Sequence, residues 1–286
     1  MNGGDKLRKK DRSDRRRKEK GSRQESGKVE AFGKLQSRRL RIGLAIAFSC
    51  LLIFSASVLL WSGSMPSSQP GMKPSSKSGI DAAKAVILDG LYVDSPNTAF
   101  SQSLENYLSN AGFKVDVFEG ENVTIDLLMN IAGYKLLILR LHSAVHSDGF
   151  LYVFSGEKYS QSRYGAEQVH GSVRKGITFE GKEFFAINAV FLGVNNPSGL
   201  NGSTIVLMGC NGTNDAFSIR RLFDKGVKTY VGWNGYVDLS YSDRAILTLA
   251  RDLYVDKMTV KDSVEEVMRE VGPDPLYKSV LEYRSG

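Results

Sequence analysis

The sequence predicts an α/β domain on a mainly parallel sheet flanked by helices, with a β-rich insertion and one transmembrane helix ahead of it. Three observations predict it. Between residues 81 and 286, short apolar runs alternate with amphipathic stretches, the βαβα order of a parallel sheet covered on both faces. That alternation breaks between His142 and Ser203, where strand-like segments flank a polar stretch. Ahead of the domain, residues 42–62 (IGLAIAFSCLLIFSASVLLWS) run for 21 residues without a charge.

Residues 1–41 hold 16 Lys/Arg against 6 Asp/Glu, a net of +10, with no apolar period. They read as a disordered tail. The other 245 residues hold 22 and 25, a net of −3. The overall +7 therefore does not describe a basic globular domain, and no nucleic-acid partner is expected. At about 1.5 Å per residue, residues 42–62 span a hydrocarbon core of about 30 Å. Arg38, Arg39 and Arg41 precede the span and Trp61 stands near its far end. The positive-inside rule then predicts a single-pass protein of the cell membrane, N-terminus cytoplasmic and C-terminal domain extracytoplasmic. A cleaved signal peptide fits less well, because its charged region would be 41 residues long. The basic tail also suits anionic lipid. Cys50 falls within the span and reads as a small apolar residue. Residues 63–80, rich in Ser, Pro and Gly, read as a flexible linker.

In the domain, residues 81–286, KAVIL (84–88) is a buried strand and 99–110 a helix opened by Ser95-Pro96-Asn97. FKVDVF (113–118) alternates like a strand, 124–131 is a short helix, and YKLLILRL (134–141) is the next strand. In the insertion, 149–155 and 183–193 read as antiparallel strands, and the excursion has the length of a functional flap. STIVLM (203–208) is a strand, 215–225 a helix, and VKTYV (227–231) a fifth strand. Helices over 240–254 and 260–271 close the domain.

Open α/β sheets place their sites outside the carboxyl ends of the strands. Two reactive side chains fall there: His142 directly follows KLLILRL, and Cys210 follows STIVLMG. A thiol needs a nearby base, and an imidazole within reach supplies one. The turn GCNGTND puts Cys210 ahead of a helix start, whose dipole would also favour the thiolate. Taken singly, a Cys at a strand end is commonly a small buried apolar residue, and a His a satisfied one.

At these residues, LLILRLHS and TIVLMGCNG, the chain resembles the caspase-like cysteine peptidases of clan CD. That group includes caspases, gingipains, legumains, separases and CHAT domains. Its motif is a hydrophobic strand ending in His-Gly, then a later one ending in the catalytic Cys. KGVKTYVGWNGYVDLSYSD resembles the next CHAT-type strand and loop, and the likeness covers most of residues 84–271. The resemblance implies Cys210 as nucleophile, His142 as general base or acid, and an oxyanion hole from the backbone N–H groups of Cys210 and of Ser143. Ser143 stands where the family has Gly. The resemblance further implies that the loop after the fifth strand, with Trp233 and Asp238, shapes the substrate pocket, where an acidic residue would suit a basic side chain. Asp243, on the same stretch, reads instead as capping or opening a helix.

His142 and His146 have the i,i+4 spacing of a zinc helix, but Ser143 occupies the place of the catalytic Glu and the segment follows a strand. No metal site and no cofactor is expected, and His170 has no recognisable partner. GWNG and GCNG lack phosphate-loop spacing. Asn122, Asn201 and Asn211 begin glycosylation sequons, the last beside Cys210. Three readings stand: a membrane-anchored caspase-like cysteine hydrolase acting on a protein or peptide; an inactive caspase-like module binding protein or peptide at the cell surface; and a flavodoxin-like domain for a small ligand.

Overall fold

A computed structural model describes residues 82–286. The basic tail, the expected membrane span, Cys50 and the whole linker lie outside the described residues. Among the described residues, no helix is long and apolar enough to cross a membrane. The chain runs β1 (Lys84–Asp89), α1 (Thr98–Asn110), β2 (Lys114–Glu119), α2 (Ile125–Met129) and β3 (Leu136–Arg140). An excursion follows: β4 (Ser143–Val145), β5 (Leu151–Lys158), α3 (Gly165–His170), β6 (Val173–Ile177) and β7 (Glu183–Asn188). The chain then re-enters the sheet with β8 (Thr204–Leu207), α4 (Ala216–Asp224), β9 (Thr229–Trp233), α5 (Leu239–Tyr254), α6 (Val260–Glu270) and β10 (Leu281–Ser285).

Six strands form the main sheet in the order β10-β9-β8-β3-β1-β2. All pairs are parallel except β10 on β9. Successive side chains of a strand face opposite ways, so each apolar run feeds two cores. Val86, Leu88, Leu137, Leu139, Ile205 and Leu207 pack with Leu128 of α2 and Leu222 of α4, and with Leu151 and Phe185 of the excursion. Ala85, Ile87, Leu136, Ile138, Val206, Val231 and Trp233 pack against α1, α5 and α6 on the other face. Strands buried on both sides need continuous apolar runs, which is why LLIL and TIVL read so clearly. The helices start where a side chain can take an orphan N–H. Asn97, Thr124, Asp215, Asp238 and Thr259 each accept from the amide three residues on.

The excursion forms a second, antiparallel sheet in the order β4-β5-β7-β6. Its strands exceed expectation by β4 and β6, and α3 lies between β5 and β6. The strand expected over 183–193 stops at Asn188, whose side chain accepts from the Val190 amide and turns the chain. The main sheet gains an unexpected edge, β10, which has polar residues because its outer side faces solvent. The strand order reverses between β1 and β3, where open sheets leave a crevice at their carboxyl ends.

Candidate active site

β3 and β8 are neighbours in register, Leu139 opposite Leu207. The chain leaves both at the same end of the sheet: Leu141 and His142 after β3, and Met208, Gly209 and Cys210 after β8. The Met208 amide still donates to the Leu139 carbonyl, at 2.9 Å, so the two segments stay together past the ladder. Gly209 makes their approach feasible. A Cβ there would lie 2.3 Å from Ser143 Oγ and 2.4 Å from the Leu141 carbonyl oxygen. Ser143 Oγ in turn donates to the Cys210 carbonyl at 2.7 Å, fixing the turn that carries the thiol. Asn211 follows with φ of 56°, in the left-handed region that Asn tolerates, and its amide donates to Gly235.

His142 and Cys210 both line one cleft of about 400 Å³. Its other walls come from the segment after β1 (Leu91, Asp94, Ser95), the β6–β7 hairpin tip (Phe179, Glu180, Lys182), and the segment from Tyr236 to Leu239. Tyr277 completes it. The ring of His142 packs edge-on against Phe154 at 5.9 Å. Among the described residues neither of its ring nitrogens has a hydrogen-bond partner. Burial holds its pKa below the ordinary value; Asp94 and Glu180 pull the other way. Burial pushes the Cys210 thiol up and Asp274 adds to the rise, with the Val237 backbone opposing. The thiol itself donates weakly to the Val237 carbonyl at 4.0 Å, a contact that favours its protonated form. Both resting groups are therefore neutral at pH 7, and no hydrogen bond joins thiol to imidazole. An attack by this thiol needs its proton transferred as the bond forms, rather than a preformed ion pair.

Of the two residues expected to supply backbone donors, Cys210 lines the cleft and Ser143 lies behind it. The Phe154 amide donates to His142, and the His146 amide to Phe150, so these are the hydrogen-bonded pairs of the β4–β5 ladder. Ser143 lies between them, at a non-hydrogen-bonded position, and its N–H points away from β5. The Ser143 nitrogen is 2.9 Å from the place a Gly209 Cβ would take, so it faces the Cys210 turn. The Cys210 N–H has no partner among the described residues.

Other expectations change. The thiol gains nothing from the α4 dipole, because Asp215 caps that helix and Cys210 lies five residues before the cap. Trp233 does not line the pocket. Its position on β9 turns it into the core shared with α5, where it is 0% exposed and donates to Ser242 Oγ at 3.0 Å. Asp238 does line the cleft, but its Oδ1 is used to cap α5 through Tyr241 N–H and Ser240 Oγ. Asp243 caps nothing: it is buried within α5 and holds Arg140. His146 sits past β4 beside Asp148 and Arg174, about 13 Å along the strand from His142. His170 ends α3. Among the described residues no group of His, Cys, Asp and Glu has the makings of a metal site. Arg140, Phe179, Tyr236 and Tyr277 were missed at the sequence level. Arg140 carried a signal, since a charge inside an apolar run must be paired.

The chain matches no protein-family model and no curated protein.

Proposed function

We propose that the chain is a membrane-anchored, extracytoplasmic cysteine hydrolase of the caspase-like kind, acting on peptide bonds through a His142–Cys210 dyad. One observation carries this reading: a thiol and an imidazole reach the same cleft from adjacent parallel strands. In the reaction, His142 takes the proton of the Cys210 thiol as sulfur attacks the scissile carbonyl carbon. The developing oxyanion is taken by the N–H groups of Cys210 and Ser143. The imidazolium returns its proton to the departing amine, leaving a thioester. Water then attacks the thioester with His142 again as base, releasing the acid and the thiol. The lowered His142 pKa keeps the base form populated at neutral pH. The anchor in this proposal is residues 42–62, with the +10 tail inside.

The test is covalent labelling of the full-length chain with an electrophilic peptide, alongside cleavage of a peptide library. Labelling at Cys210, lost with Cys210→Ala and slowed by His142→Ala, is the expected result. A Cys210→Ala chain that cleaves as the parent does would sink the proposal.

A second reading has its own support. Thiol and imidazole are not hydrogen-bonded, the thiol is raised, and Ser143 replaces the family's Gly. These favour a binding module that holds a peptide in the cleft without cutting it. A thiol inert to the electrophile, in a chain that still binds peptide, is the outcome that selects this reading.

A further inference from the structure

The outer wall of the cleft is a row of three aromatic rings that the dyad does not use. Phe179, at the tip of the β6–β7 hairpin, is 86% exposed. Its ring lies 6.0 Å from that of Tyr236, which lies 5.8 Å from that of Tyr277. All three line the cleft. The two tyrosines stand on a stiff frame. Asp274, fully buried, accepts from the amides of Asp238, Leu276 and Tyr277, and Ser279 Oγ donates to the Tyr236 carbonyl. A wall held this way loses little freedom when a ligand arrives. Neither tyrosine hydroxyl has a hydrogen-bond partner among the described residues.

The kind of ligand follows from spacing, hydrogen bonding and charge. Two residues of a polyproline II helix rise about 6.2 Å, close to the step between these rings. Such a segment has unpaired carbonyls, which free tyrosine hydroxyls can serve, and proline rings pack on aromatic faces with little ordering cost. The cleft carries the carboxylates of Asp94, Glu180 and Asp238 against one lysine, Lys182, which is paired with Asp94. Hydrogen bonds from Thr178 and Ser240 hold Glu180 and Asp238 below the ordinary carboxylate values, so both stay ionised at neutral pH. A cation beside the rings is favoured on both counts. We propose that Phe179, Tyr236 and Tyr277 form a docking subsite for a proline-containing, positively charged peptide segment in the polyproline II conformation. This rests on a peptide occupying the cleft, as in either reading above.

The test uses the full-length Cys210→Ala chain in detergent and the fluorescent peptide Pro-Pro-Arg-Pro-Pro, read by anisotropy. Comparison peptides carry Ala in place of every Pro, or Glu in place of Arg. The proline–arginine peptide should bind about tenfold more tightly than either. Phe179→Ala and Tyr277→Ala should each weaken it about threefold to tenfold. Phe179 is a surface side chain, so its loss leaves the fold intact. Equal affinity for the alanine peptide, or no effect of both aromatic changes, overturns the subsite. Binding needs no turnover, so the two proposals fail separately. A parent chain that prefers this peptide but has an inert thiol loses only the hydrolase reading. A reactive thiol without proline preference loses only the subsite.

Discussion

Arg140 and His142 stand two residues apart at the end of one strand, and they are satisfied in opposite ways. Arg140 is 1% exposed, and its guanidinium donates to Asp243 at 2.8 and 3.0 Å, to Asp89 at 2.8 Å and to the Ser95 carbonyl at 3.1 Å. Asp243 also accepts from Asn97 at 2.8 Å. His142 opens on the cleft, and among the described residues neither ring nitrogen has a partner. A buried charge persists only when it is paired and hydrogen-bonded, so the first arrangement is structural. It ties the end of β3 to α5 and to the segment carrying Ser95, two of the walls around the cleft. A half-buried neutral base left without a partner is free for a proton or a ligand. The comparison separates the group that holds the walls from the group that faces what enters.

The largest expected effect falls on the first group. Arg140→Met strands the Asp89 and Asp243 carboxylates in a dry site, at a cost of about 3–5 kcal/mol of folding stability. Urea unfolding of the full-length chain reads it. Arg140→Lys should recover only part of the loss, because an ammonium cannot bridge Asp243 with a fork. His142→Ala in the same assay should change stability by less than about 1 kcal/mol, as for a side chain outside any network. Equal losses for Arg140→Met and His142→Ala would erase the distinction.

Next in size is Gly209→Ala. The new methyl would meet Ser143 Oγ and the Leu141 carbonyl, both near the turn that carries the thiol. Overpacking against backbone costs about 1–3 kcal/mol. The same shift moves Cys210 relative to His142, so alkylation of the thiol by an electrophilic peptide should slow as well. A Gly209→Ala chain with parental stability and parental labelling rate would mean that the two strand ends are not in contact there.

The sheet and the placement of His142 and Cys210 at one cleft were legible because both depend on short-range signals. LLIL (136–139) and IVL (205–207) are buried on two faces and need apolar residues at every position, and the residues after them fall at the sheet's carboxyl end whatever the loops do. β10 was not legible: LEYRS is an edge strand buried along one side, and its pairing with β9 comes from 48 residues away at Leu281 and Trp233. β4 has three residues, too few for any period. Trp233 was misread because the loop after β9 was taken as the pocket wall. Alternation along the strand, read two residues further, turns its ring to the same face as Val231. The aromatic row was hidden for a different reason. Phe179, Tyr236 and Tyr277 come from three separate loops, and only tertiary structure brings their rings together.

Asp238 tests where the cleft ends and the scaffold begins, with a smaller effect. Its Oδ1 caps α5, so Asp238→Ala should cost about 1 kcal/mol in urea unfolding. Asp238→Asn keeps an acceptor for the cap and removes the charge, so it should restore stability while still weakening an arginine-containing peptide. If both variants bind that peptide as the parent does, Asp238 is scaffold alone.

The smallest effect is a slope with pH, and it bears on His142 directly. Burial holds its folded pKa below the ordinary 6.5, so between those two values the unfolded chain binds more protons than the folded one. The contribution of His142 is fully present above about pH 6.5 and is lost as pH falls through the lowered folded value. Carboxylates elsewhere also titrate in acid, so the measurement is a difference: urea unfolding of parent and His142→Gln from about pH 7.5 to about pH 5. The parent should lose more stability than the variant over that window, and the two curves should run parallel above it. Arg140 keeps its proton throughout, so its network adds no slope of its own from the guanidinium. Parallel curves over the whole range would mean that His142 is as solvated folded as unfolded, and the neutral base at the cleft would lose its physical ground.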